Sequence, residues 1–147
     1  MNTISHRIGI KADISRVFDA LTTNRGLSQW WTKHTIGDAS IGSILTFNFP
    51  DHGPSFKVVE VIANKRVHWQ HHGDVPEQWQ GTSVIFELTQ DEQQTWLHFY
   101  HKDWQQPCSF MSHCSMKWAV FMLSIKQFIE TGCGSPFPDD IQIDHND

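Results

Sequence analysis

Apolar positions follow two rhythms along this chain. Between residues 109 and 131 they recur in steps of three and four, at Met111, Cys114, Trp118, Phe121, Met122, Ile125, Phe128 and Ile129. That period predicts one long amphipathic α-helix, with His113, Lys117, Ser124, Gln127 and Thr131 on the opposite face. Ser109 suits its N-cap, and Gly132 suits the left-handed residue that ends it. Burying eight such side chains is worth about 12–24 kcal/mol gross, before conformational entropy is subtracted. A helix of this kind needs a large apolar partner.

The rest of the chain supplies one, in a rhythm of two. Over residues 3–11, Ile4, His6, Ile8 and Ile10 alternate with Ser5, Arg7 and Gly9, the pattern of a half-buried strand. Asp13 or Ser15 then opens a short helix carrying Ile14, Val17, Phe18 and Leu21, broken at residues 22–25. A second helical turn carries Leu27, Trp30 and Trp31. Five strands are expected next. Residues 43–49 place Leu45, Phe47 and Phe49 on one face, and residues 55–63 are rich in β-branched side chains. Val67, Trp69 and His71 share a face, as do Val84, Phe86 and Leu88, and then Leu97, Phe99 and His101. The turn at 50–54, the tight connection at Asn64 and Lys65, and the polar stretches 72–77 and 90–94 separate them. A loop with Trp104 and Pro107 leads into the long helix.

Strands segregated from helices and joined by short turns predict an α+β domain. One antiparallel sheet of about six strands faces the C-terminal helix. The reading is one domain over residues 1–147, with an irregular tail after the helix, most plainly over 136–147.

Four stretches carry a family resemblance. The first is Ile8-x-Ile10-x-Ala12 followed by Val17-Phe18-x-Ala20-Leu21-Thr22 and Leu27-x-x-Trp30-Trp31. The second is Gly42 leading into Leu45-x-Phe47, with Glu60-Val61 after it. The third is Trp79-x-Gly81-Thr82 entering Val84-x-Phe86-x-Leu88, then Thr95-x-Leu97-x-Phe99-x-His101. The fourth runs from Glu130-Thr131-Gly132-Cys133-Gly134 to Pro136-Phe137-Pro138-Asp139-Asp140. In this order the chain resembles the helix-grip fold of the START-like or SRPBCC superfamily, which also holds Bet v 1-like proteins and polyketide cyclases. Within it, the chain is similar to the branch related to the activator of the ninety-kilodalton heat-shock protein ATPase. The resemblance implies a curved antiparallel sheet gripping the helix around a cavity that members use for apolar ligands. It carries no catalytic motif onto this sequence.

Composition narrows the function classes. A net charge of -5, with eleven scattered Lys and Arg, argues against a nucleic-acid or anionic-membrane binder. No apolar run reaches the roughly 18 residues of a membrane span. Three cysteines without a C-x-x-C pair, and no basic-then-apolar opening, point to reduced thiols in the cytoplasm.

Seven Trp and ten His are the unusual feature. The expected cavity is lined or rimmed by Trp30, Trp31, Phe47, Phe49, Trp69, Phe86, Phe99, Trp104, Met111, Cys114, Trp118 and Met122. His71, His101 and Glu60 are the polar candidates in that register, able to orient a ligand or move a proton. The histidines do not make a metal site by spacing: no C-x-x-C pair accompanies them, and His98 and His101, like His71 and His72, point to opposite faces of a strand. No cofactor is expected. The leading expectation is a protein that binds a small apolar or aromatic molecule. The alternatives are a cyclase- or hydrolase-type enzyme using His71, His101 or Glu60, and a chaperone-linked interaction module with a protein partner or a second copy of the chain.

Overall fold

The alternating segments pair into a single sheet. The computed structural model describes residues 2–47, 54–73 and 77–144. In chain order the elements are β1 (Asn2–Ile10), α1 (Ile14–Thr22), α2 (Asn24–Trp30), β2 (Thr35–Gly37), β3 (Ile44–Phe47), β4 (Ser55–Ile62), β5 (Arg66–His72), a 3-10 turn (Glu77–Trp79), β6 (Ser83–Gln90), β7 (Thr95–Trp104) and α3 (Ser109–Thr131). The strand order is β1-β7-β6-β5-β4-β3-β2, and all neighbours are antiparallel. The open sheet curves over one face of α3, with α1 and α2 beside it. This is the expected α+β helix-grip arrangement. The sheet has seven strands where about six were expected. The additional one, β2, is three residues long, too short for alternation to show in sequence. Phe49 and the turn beginning at residue 50 fall on 48–53, outside the described residues.

Local chemistry sets most boundaries. Asp13 caps α1, its carboxylate accepting from the Ser15 amide at 3.1 Å. Thr23 is extended, ends α1 and caps α2 by accepting from the Gly26 amide at 3.0 Å. Between β4 and β5, Asn64 adopts φ 56° and the Lys65 amide donates to the Ile62 carbonyl at 3.0 Å. Asparagine tolerates that left-handed conformation better than most residues.

The long helix departs from expectation at two points. Its N-cap is Cys108, which makes no side-chain capping bond, and Ser109 is already helical. Its outward face is less polar than the pattern implied, because Ser124 is buried. The Ser124 hydroxyl donates to the Trp30 carbonyl at 2.7 Å and accepts from the Ser135 amide at 2.9 Å, tying α2, α3 and the following segment together. Gly132, at φ 88°, ends the helix as expected.

The segment after α3 returns across the molecule. Phe137 donates its amide to the Trp31 carbonyl at 2.7 Å, and Lys33 donates to the Phe137 carbonyl at 3.2 Å. Asp140 is buried and forms an ion pair with Lys117 of α3.

Cys114, Trp118, Phe121, Met122, Ile125 and Ile129 are buried along the inward face of α3. Met111 and Phe128 are half-buried against the same core. Ile125 is fully buried, so Ile125→Ala is expected to lower unfolding free energy by about 2–5 kcal/mol, read from urea denaturation. A loss well under 1 kcal/mol would place the core on another face of the helix.

Candidate functional site

The residues expected to line a cavity pack in the core, and around Trp31 they fill the space between sheet and helix. Trp30, Trp31, Phe47, Trp69, Phe86, Phe99, Trp104, Cys114, Trp118 and Met122 belong to one buried cluster, with Met111 packed at its edge. The Trp31 ring lies parallel to Trp69, with an interplanar angle of 2° and centroids 5.7 Å apart. It touches Phe47 at 3.9 Å and Trp118 at 5.0 Å. Along this layer the α2 terminus, the strands and α3 meet ring against ring.

Toward the far end of β5 and β7 the interior becomes polar. His101 of β7 is fully buried, and His71 of β5 lies 5.5 Å from it, centroid to centroid. Thr82, just before β6, joins them. Its hydroxyl is 2.9 Å from His101 Nε2 and 2.8 Å from His71 Nδ1, and it donates to the Trp79 carbonyl at 2.6 Å. On the helix side, Trp118 Nε1 donates to His101 Nδ1 at 3.1 Å.

This chain of bonds assigns the tautomers. An indole N–H can only donate, so His101 Nδ1 accepts, and the proton of the neutral ring sits on Nε2. That proton goes to the Thr82 oxygen. Because Thr82 commits its own hydrogen to Trp79, His71 Nδ1 carries a hydrogen too, directed at the Thr82 hydroxyl and at the Thr82 carbonyl 3.1 Å away. His71 Nε2 is then left as a bare acceptor. It is buried without a hydrogen-bond partner, as is the Trp104 Nε1–H.

Burial decides the protonation states. Removal from water pushes His71 down to about 4 and His101 down to about 3, the latter helped by the neighbouring His71. Burial pushes the Cys114 thiol up to about 12, and the thiol sulfur accepts from Trp79 Nε1 at 3.3 Å. At neutral pH all three groups are uncharged. A thiol held so high is a packing atom rather than a nucleophile.

Glu60 stands apart from this cluster. Phe56 and Val58 face inward, and a strict period of two would bring Glu60 in as well. A bulge between Val58 and Glu60 resets the register, pairing Glu60 with His68 and Val61 with Val67. Glu60 is half-exposed and forms an ion pair with Arg66 at 2.8 Å. Among the described residues, no three His, Cys, Asp or Glu side chains converge as a metal site requires.

Thr82, Trp79 and Phe110 were missed as members of this cluster. The alternation of Val84, Phe86 and Leu88, extended back two residues, reaches Thr82 and was the signal for it. Phe110 had no such signal, because its approach to Trp79 and Trp104 depends on how the loop after β7 enters α3. A separate cleft of about 370 Å³ opens at the surface, lined by Ser28, Gln29, Lys33, Cys133, Gly134, Pro136 and Asp139. The Lys33–Asp139 ion pair, at 2.5 Å, lies in its wall.

An open antiparallel sheet closed on one long C-terminal helix, with two short helices after the first strand, defines a START-like, SRPBCC-type protein. Within that class the chain belongs to the family described as activator of Hsp90 ATPase homolog 1-like protein, whose profile matches residues 11–130. It is similar to the Aha1 dimer from Colwellia psychrerythraea, with 48% identity, a TM-score of 0.84, and coverage of 91% of this chain and 100% of that one. It also resembles protein MLL2253 from Mesorhizobium loti, at 17% identity and TM-score 0.77, over 88% of this chain and 97% of that one. DynU16, a putative protein in the dynemicin biosynthetic locus, aligns at 23% identity and TM-score 0.73, over 91% of this chain and 49% of its own length. The last two show the fold alone. No curated protein matches the chain.

The depressed imidazoles make a pH prediction. The unfolded chain binds protons near pH 6.5 that folded His71 and His101 refuse, so their contribution to stability is complete above about 6.5. It is lost as pH falls from 6.5 toward about 4 and about 3. The urea midpoint should fall between pH 7 and pH 5, a range in which carboxylates stay mostly ionised. His101→Phe should reduce that slope. An unchanged slope would mean the rings are not held neutral by burial.

Proposed function

We propose that this chain binds a small, largely apolar molecule between the sheet and the N-terminal half of α3, at the His71–His101 end of the interior. The observation that carries this reading is a pair of uncharged imidazoles, bridged by Thr82, set among Trp79, Trp104, Phe110 and Trp118. A few fixed polar groups among aromatic walls are how small ligands are usually oriented. The same chemistry favours binding over catalysis. Imidazoles lowered to about 4 and about 3 are poor proton acceptors at neutral pH, and Glu60 lies too far away to pair with either. A reducing, cytoplasmic setting suits the three free thiols Cys108, Cys114 and Cys133. Among the described residues, no helix is long and apolar enough to cross a membrane.

The test is a titration with the uncharged probe N-phenyl-1-naphthylamine. A saturable fluorescence rise at one site per chain is expected. Trp79→Ala should weaken it by about tenfold while leaving the circular dichroism spectrum intact. A response that never saturates would refute the reading.

A second reading is self-association, and a specific surface favours it. Met116 and Leu123 lie seven residues apart on the outward face of α3 and are 57% and 58% exposed. Large exposed apolar side chains on one helix face commonly mark an interface. The similar Colwellia protein was solved as a dimer. Light scattering on the eluting protein should give twice the 17.0 kDa chain mass, and Leu123→Glu should return it to the monomer. A monomeric mass at high micromolar concentration would rule this surface out as a dimer contact.

A further inference from the structure

Five aromatic rings at the polar end form a closed circuit. His71 meets Trp79 at 4.7 Å, Trp79 meets Phe110 at 5.9 Å, and Phe110 meets Trp104 at 6.2 Å. Trp104 meets His101 at 4.9 Å, and His101 meets His71 at 5.5 Å. Two members of this one circuit carry the unpartnered atoms. His71 Nε2 is a bare acceptor, and Trp104 Nε1–H is a bare donor on a side chain only 1% exposed. The polar atoms of His101 and Thr82 are fully used by each other, by Trp118, by Trp79 and by His71.

A buried polar atom without a partner costs about 1–3 kcal/mol, and native interiors seldom keep one without a reason. Such atoms also occur singly at His68 and Asp140 among the described residues, but here two of opposite hydrogen-bonding sense sit on rings that flank the same imidazole. We propose that the ligand of this site is an uncharged aromatic or apolar molecule bearing both a donor and an acceptor, as in a carboxamide, with the donor directed at His71 Nε2 and the acceptor at Trp104 Nε1–H. The inference rests on the binding reading above and goes further by naming the ligand's polar group. None of the five rings carries a fixed charge, and an ion buried without a partner is strongly disfavoured. An anion would also meet the His71 lone pair directly. The depressed imidazole basicity agrees, since neither ring is protonated to receive a carboxylate at neutral pH.

Three probes of similar shape separate the possibilities: benzamide, toluene and benzoate, each titrated against the full chain at pH 7 by saturation-transfer NMR. Benzamide is expected to bind about tenfold more tightly than toluene, the gain of roughly one well-made buried hydrogen bond. Benzoate is expected to bind more weakly than benzamide. Trp104→Phe keeps a ring but removes the N–H, and should lower benzamide affinity severalfold while leaving toluene unchanged. His71→Phe should do the same from the acceptor side. Toluene binding as tightly as benzamide would overturn the donor–acceptor assignment and leave the binding reading standing. Benzoate binding as tightly as benzamide would overturn the requirement for an uncharged ligand. If none of the three binds, the binding reading falls, and this inference with it.

Discussion

The structure depends on the burial of Trp31. It stands at the end of α2, yet its ring lies against β3, β5 and α3 at once through Phe47, Trp69, Trp118 and Phe121. Its backbone carbonyl holds Phe137 from the segment after α3. Five separate parts of the chain therefore meet at one residue, four through its ring and one through its backbone. Aromatic contacts of this kind add about 0.5–1.5 kcal/mol each beyond the area they bury. More importantly for function, they decide where the interior is closed. With rings meeting at this layer, the polar atoms of the interior are gathered toward the opposite end, where the histidines are.

That end is organised by a different constraint, the need to satisfy polar atoms in a medium without water. Thr82 is its hinge, because one hydroxyl serves two imidazoles and a carbonyl. Trp118 couples the network to the helix, so the sheet and α3 are joined here by a hydrogen bond as well as by packing. Such fully connected networks fix geometry, since each member has one arrangement in which every partner is served. The two atoms left out of it stand exposed to comparison with the rest: the same interior that satisfies Thr82, His101 and Trp118 leaves His71 Nε2 and Trp104 Nε1 unserved.

Much of the fold was legible because it rests on periodicity. The step of three and four marked α3, and the step of two placed Leu45, Phe47, Val67, Trp69, Val84, Phe86, Leu97 and Phe99 inside, where all of them are buried. Periodicity fails where the backbone breaks its own count. The bulge after Val58 carries Glu60 to the other face, and no residue type in that stretch announces it. Strand β2 is too short to have a period. Ser124 looked solvent-facing because its surroundings on the helix are polar, but the returning segment covers it, and that contact is set by tertiary packing. The candidate site was half legible. His71 and His101 could be placed on one face from alternation, whereas their bridge through Thr82 and the approach of Phe110 required the strand register and the loop before α3.

The division of the interior also bears on what kind of site evolved on this scaffold. A catalytic pair usually keeps one group poised near the working pH, through a charge partner that offsets burial. Here burial dominates at both imidazoles, opposed at His71 by its bond to the Thr82 carbonyl alone, and Glu60 is turned outward against Arg66. The thiol nearby is driven the same way, toward its neutral form. Three titratable groups in one cluster thus lose their charge together, and what remains is geometry: fixed donors and acceptors among rings. Recognition of an uncharged molecule needs that arrangement, whereas acid–base chemistry would need it undone at one position.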